Sequence, residues 1–300
     1  MFYRQRINKL KKQKNAVIVA HSYQPMEIQE LADVVGDSLQ LSRHCANDDA
    51  KTIVFCGVLF MAESAKILSP DKKVLLPEIN AGCPMADMAD SKALKEMKAN
   101  HPDATVVCYI NSSAAVKAES DICCTSSNAV KIVKSIDNNK IIFVPDRNLG
   151  AYVASMVPEK EIILWEGYCP VHDALTAESV IKMRELHPNA HIAAHPECRS
   201  DILDLADFIG STKKIIDYVT ESDEKEFIIA TEKGLVDRLQ KMTKGKKIYL
   251  ADNGMLCADM KKITPAKIIK ALEEDIYEIT LEKEVSEAAA GCLQKMMEIA

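Results

Sequence analysis

Short apolar runs that stop at polar residues recur along the chain: VIVAHSYQ from Val17, VVCYINSS from Val106 and HIAAHPEC from His191. Each has the length of a buried β-strand. An offset of 88 residues carries His21 onto Tyr109, and one of 86 carries Tyr109 onto His195. The same offsets align second runs, IVFC at Ile53, IIFV at Ile141 and FIIA at Phe227. They also align third runs, VLL at Val74, IIL at Ile162 and IYL at Ile248. Between second and third runs, Met61, Ala65 and Leu68 correspond to Leu149, Val153 and Met156, then to Leu235, Leu239 and Met242. That spacing predicts a helix in each copy, with these side chains in its core. Breakers follow at LSPDKK, MVPEKE and MTKGKK.

Each copy therefore predicts strand, helix, strand, helix, strand, with compact apolar strands suited to a parallel sheet covered on both faces. Helices near Ser91 to Ala99 and Ala177 to Leu186 lead to the next copy. After the third copy, TPAKIIKALEED reads as a helix and YEITL as a last strand. The expected class is α/β: three homologous α/β/α sandwich domains with short parallel sheets, arranged around a pseudo-threefold axis. The boundaries fall at 1–104, 105–190 and 191–300, the last including the C-terminal helices.

Composition narrows the function. The chain of 300 residues is 48% hydrophobic, enough to bury substantial cores, and its net charge of -6 supplies no basic field for a nucleic acid. No run approaches the roughly 18 to 20 apolar residues of a membrane span. MFYRQRINKLKKQKN reads as a basic surface helix, not a signal peptide, so a cytoplasmic protein is expected. Ten cysteines without such a signal point to a reducing compartment, and no Cys-x-x-Cys pair occurs.

In parallel sheets, ligands gather beyond the carboxyl ends of strands. There stand His21 and Tyr23, Tyr109 and Asn111, and His195 and Glu197. The hydroxyls of Ser38, Ser126 and Thr212 share a second register. Packed around one axis, the copies would face these side chains into a common cavity. Cys83, Cys169 and Cys257 recur at offsets of 86 and 88, in INAGCPM, EGYCPV and NGMLCAD. The other seven cysteines lack this recurrence and read as small buried hydrophobes.

Three converging thiolates suit a 4Fe-4S cluster with one iron free of protein ligands, able to act as a Lewis acid. Zinc is the rival, although closed zinc sites usually use close cysteine pairs. Neither GxxxxGK[ST] nor GxGxxG after a strand is present. A phosphate has an alternative seat at Ser211 and Thr212 in GST, where an ordinary helix cap explains the residues equally well. Glu197 and His195 offer proton transfer, and Tyr23 and Tyr109 add acid groups. Asp33, Asp121 and Asp207 read as turn or cap residues.

At AHSYQ, ADVVGDSLQL, GCPM, YINSS, TSSNAV, PDRNLGAYVA, GYCPVH, HPEC, GST and CADMKKITP, the chain closely resembles the quinolinate synthase family, from about residue 7 to the end. The resemblance implies three similar α/β/α domains around a pseudo-threefold axis. It implies condensation of iminoaspartate with dihydroxyacetone phosphate to quinolinate, phosphate and water, on the route to NAD. It also implies a 4Fe-4S cluster on Cys83, Cys169 and Cys257, and functional coupling to an iminoaspartate-producing enzyme. The implied substrate-binding positions are His21, Ser38, Tyr109, Asn111, Ser126, His195, Glu197, Ser211 and Thr212, with Tyr23 as an acid/base participant.

Ser22, Lys213, Lys214 and Asp259 depart from the family pattern. Met260 stands where some members have a second cysteine, so no disulfide switch is expected there. Two other classes compete: a non-redox hydratase of aconitase-like chemistry, and a non-catalytic iron-sulfur protein.

Overall fold

The computed structural model describes residues 2–299 and contains three four-stranded sheets in which every strand pairing is parallel. The first holds β1 (Ala16–His21), β2 (Val34–Gly36), β3 (Thr52–Cys56) and β4 (Lys73–Leu75), in the order β2-β1-β3-β4. The second repeats that order with β5 (Thr105–Tyr109), β6 (Ile122–Cys124), β7 (Lys140–Val144) and β8 (Glu161–Leu164). The third does so with β9 (His191–Ala194), β10 (Phe208–Ile209), β11 (Glu226–Ala230) and β12 (Lys247–Leu250). Repetition of one strand order confirms the triplicated α/β organisation.

The sequence pattern predicts three strands per copy, and the structure has four. The additional strands, β2, β6 and β10, are only two or three residues long and lie at sheet edges, too short to display a period. The recurring aspartates secure them. Asp33, Asp121 and Asp207 immediately precede these strands, and their carboxylates accept the amide protons of Ile18 (2.9 Å), Val106 (2.7 Å) and Ile192 (2.8 Å).

The central strands are buried on both faces, as in Ile53 and Val54 of β3 and Ile141 and Ile142 of β7, because helices cover each sheet twice. Helices Leu59–Leu68, Arg147–Met156 and Lys233–Met242 bury Met61 and Ala65, Leu149 and Val153, and Leu235 and Leu239. The third position of each set differs from expectation. Leu68 is half-buried, and Met156 and Met242 are 46% and 48% exposed, because each lies in a last helical turn.

The expected YEITL strand is reduced to one antiparallel bridge, Glu278 to Leu75, alongside β4. It caps a sheet edge that would otherwise present unpaired amides. Helix Phe2–Lys14 buries Ile7 and Leu10, and Lys14 pairs with Asp275 at 2.9 Å beyond helix Pro265–Glu274. The last helix, Lys283–Ile299, buries Ala289, Cys292, Leu293 and Met296 in the core of the second copy. The chain thus interlocks its copies after completing them. Among the described residues no helix is long and apolar enough to cross a membrane.

Candidate active site

The strand order sends the chain to opposite sides of the sheet after its first and third strands, which opens a crevice at their carboxyl ends. The three crevices merge into one cavity. Its lining includes His21 and Tyr23 from the first copy, Tyr109 and Asn111 from the second, and His195 and Glu197 from the third. Ser38, Ser126 and Thr212 line it as well.

Ser38 and Thr212 are the first residues of helices Ser38–Asn47 and Thr212–Glu221, so their backbone amides belong to helix N-termini that favour anions. Ser211 is not in the lining. It caps helix Thr212–Glu221 by accepting the Lys214 amide, and its hydroxyl lies 2.7 Å from that of Ser127, which is 3.2 Å from the Asp37 carboxylate. That contact joins all three copies beside the cavity.

Cys83, Cys169 and Cys257 line the same cavity. Cys83 and Cys169 each immediately precede a short helix, Pro84–Asp87 or Pro170–Asp173, whose proline is suited to the first helical position. Cys257 precedes the 3₁₀ turn Asp259–Lys261. Burial pushes the Cys83 thiol up to about 12 and raises those of Cys169 and Cys257. Such thiols are poor free nucleophiles, whereas a bound metal deprotonates them outright.

The donor set fits a cluster. Among the described residues, ligand atoms of Cys169, His172 and Glu197 alone form a group lying within 4.8 Å of one another, so the three thiols are spread more widely than single-ion spacing. One thiol from each copy around a shared cavity matches a larger inorganic body.

Glu197 is 3% exposed and sits at the centre of the polar network. Its carboxylate accepts from the Tyr109 hydroxyl at 2.7 Å and lies 2.8 Å from His172 Nδ1. Asn111 Nδ2 is 3.4 Å away, and Asn111 Oδ1 is buried without a hydrogen-bond partner among the described residues. An orphaned acceptor in a cavity wall marks a place for a donor on a ligand. Burial opposes charge on Glu197. The imidazoles of His195 and His172, with hydrogen bonds from His172 and Tyr109, outweigh it and keep the carboxyl below its usual range.

Two histidines share one local geometry. The Tyr23 amide donates to His21 Nδ1 at 3.2 Å, and the Glu197 amide donates to His195 Nδ1 at 3.3 Å. Each Nδ1 is thereby an acceptor, and the ring proton sits on Nε2. His195 Nε2 faces the Ser126 hydroxyl at 3.2 Å. Burial lowers His21 to about 3 and His195 to about 4, so both are neutral near pH 7. Burial, reinforced by the Glu197 charge, raises Tyr23 and Tyr109, which keeps both phenols protonated.

His172 and Glu232 are among the lining residues that escape the sequence reasoning. His172, 1% exposed, contacts Cys169 Sγ at 3.1 Å as well as Glu197, and Glu232, 1% exposed, accepts the Cys257 amide at 3.2 Å. Their only available signals were proximity to a ligand cysteine in GYCPVH and a strand-end position after FIIA.

Known proteins resemble this chain over nearly its whole length. The family described as quinolinate synthetase A protein matches residues 5–298. A quinolinate synthase of Caldicellulosiruptor saccharolyticus is 57% identical over 293 residues, covering 98% of this chain and 97% of the relative. One of Alkaliphilus metalliredigens is 54% identical with the same coverages. Quinolinate synthase 1 of Methanosarcina acetivorans is 51% identical over 98% of this chain and 96% of its own.

Proposed function

The chain belongs to the quinolinate synthetase A family and carries its quinolinate synthase activity, and from that premise we propose how its residues perform the reaction. The substrates are iminoaspartate and dihydroxyacetone phosphate, and the products are quinolinate, phosphate and water. The observation that carries this reading is the convergence of three thiols and the Glu197 network on one cavity fed by all three copies.

Cys83, Cys169 and Cys257 would hold a 4Fe-4S cluster, which would supply Lewis acidity toward substrate oxygen atoms.

The remaining chemistry falls to the chain's own side chains. Glu197 is ionised at neutral pH and takes the carbon-bound proton during isomerisation of the ketose fragment. His195 presents Nε2–H beside Ser126 and steadies the oxygen on which charge develops. Tyr109 and Tyr23 remain protonated and serve as acids toward departing oxygen or nitrogen. His21 and Asn111 orient the substrate acid groups. Ser38, Ser126 and Thr212, with the amides of helix starts, bind carboxylate or phosphate. Ser211 supports that surface by capping the helix that bears Thr212. The instability of an imine in water favours functional coupling to the enzyme that produces it.

The test is anaerobic reconstitution with iron and sulfide, followed by a quinolinate assay with iminoaspartate generated in situ. Four irons per chain and quinolinate dependent on both precursors support the proposal. A single metal ion would instead favour a mononuclear site at Cys169, His172 and Glu197, whose donor spacing suits one.

A further inference from the structure

We propose that Lys131, Lys134 and Lys214 form an outer capture site for the phosphate group of the triose phosphate substrate, on its way to the central cavity. The inference rests on the reading of that ester as a substrate. Between the second and third copies lies a second pocket of about 360 Å³, the size of a small-molecule site. Its lining carries these three lysines and, among the described residues, no carboxylate.

The pocket and the cavity share a wall. Ser126 lines both. Pro196 lines the pocket, while its chain neighbours His195 and Glu197 line the cavity. Gly210 lines the pocket and Thr212 the cavity, so the start of helix Thr212–Glu221 borders the two. One layer of chain thus separates an anion held outside from the groups that receive it inside.

Charge gives the pocket its purpose. The chain carries a net charge of -6 and its cavity holds the ionised Glu197, so a phosphate ester is repelled unless the field is reversed locally. All three lysines are exposed, and none forms an ion pair among the described residues, whereas neighbouring Lys213 is paired with Asp217. Lys131 and Lys134 stand three residues apart on helix Ala129–Ser135 and so share a face. Lys214 lies in the first turn of its helix, where the backbone dipole is already positive and a cation is disfavoured. No acidic residue in that turn compensates it, and a bound phosphate would. Ammonium groups hold phosphate as mobile point charges, which suits a site that must pass its anion inward.

The test treats reconstituted holoenzyme with pyridoxal 5′-phosphate, a phosphate ester whose aldehyde condenses with a lysine amine to an imine with loss of water. Borohydride then reduces the C=N bond, and peptide mapping locates the product. Lys131, Lys134 or Lys214 should label in preference to other exposed lysines. Dihydroxyacetone phosphate and inorganic phosphate should suppress that labelling, and uncharged dihydroxyacetone should not. Uniform labelling across the surface overturns the proposal, as does suppression by malate but by neither phosphate, which would assign the pocket to a dicarboxylate.

In the triple variant Lys131→Gln, Lys134→Gln, Lys214→Gln, kcat/KM for the triose phosphate should fall about 10-fold at low salt with kcat within about twofold, and the difference should close at about 0.5 M salt. An unchanged kcat/KM at low salt, a deficit that salt leaves intact, or a loss of kcat at constant KM would each contradict the capture role. Labelling and its protection need no turnover. A protein that shows both and makes no quinolinate would therefore fail the functional reading while the anion site stands.

Discussion

Replacing Glu197 with glutamine changes the polar centre with little change of shape. The native carboxylate offers acceptors on both sides, to His172 Nδ1 at 2.8 Å and to the Tyr109 hydroxyl at 2.7 Å. Glutamine keeps one acceptor and turns the other into a donor. The carbonyl can stay opposite His172, because the Tyr109 hydroxyl can rotate and accept from the new amide, whereas a ring N–H cannot. Two charge-assisted hydrogen bonds become neutral ones at a cost of about 1–3 kcal/mol, partly offset because a buried carboxylate no longer needs stabilising. The variant should fold and load iron.

Its kinetic loss should be much larger. Loss of a positioned general base lowers the rate by about 10²- to 10⁴-fold, or about 2.7–5.4 kcal/mol of barrier at 1.36 kcal/mol per decade. The assay pairs iron content and thermal midpoint with kcat and KM for each precursor. Retention of more than about one-tenth of wild-type kcat refutes Glu197 as the base. Loss of iron with only modest loss of activity per cluster would show that the carboxylate acts by holding Cys169 through His172.

Cys169→Ser should fail to assemble a stable cluster, read as loss of both the visible chromophore and bound iron. Asp121→Ala removes the partner of the Val106 amide and should lower stability by about 1–3 kcal/mol in a urea melt, whereas Asp121→Asn keeps an acceptor and should cost less. The buried histidines set an acid limit: their folded pKa values lie below the unfolded 6.5, so the unfolded chain binds more protons at acid pH. Their contribution is complete above about pH 6.5 and declines toward about 4 for His195 and about 3 for His21, by as much as about 1.4 kcal/mol per pH unit each. In urea midpoints between pH 7 and 4.5, His195→Gln should flatten this dependence; an unchanged slope contradicts it.

The architecture was legible wherever burial on both faces forced a continuous apolar run. β1 and β3 and their counterparts therefore aligned at fixed offsets, and the edge strands β4, β8 and β12, less buried, aligned through their short apolar runs, while β2, β6 and β10 did not, because two or three residues at an edge carry no pattern. Their recognisable trace was the aspartate before each strand, whose role in binding a backbone amide emerges only from the fold. At GST, sequence left a helix cap and a phosphate seat equally open. The structure divides the roles: Ser211 caps, and Thr212 lines the cavity.

Triplication also explains which site residues were hidden. Register locates a position in every copy, so it finds His21, Tyr109 and His195, or Tyr23, Asn111 and Glu197, whose side chains differ while their places at strand ends agree. It is blind to His172, which aligns with Ala86 and Met260. A threefold scaffold can deliver three equivalent thiols to an inorganic cluster, but proton transfer needs unlike partners: an acceptor, a donor and a group that orients them. Where the copies keep the same residue, as at Asp33, Asp121 and Asp207, the common task is to hold a strand. Where they diverge around the shared cavity, the unlike side chains meet as hydrogen-bond partners, as Tyr109 and Glu197 do at 2.7 Å. Asymmetry imposed on a repeated frame is what lets one enclosed site contain both proton acceptors and proton donors.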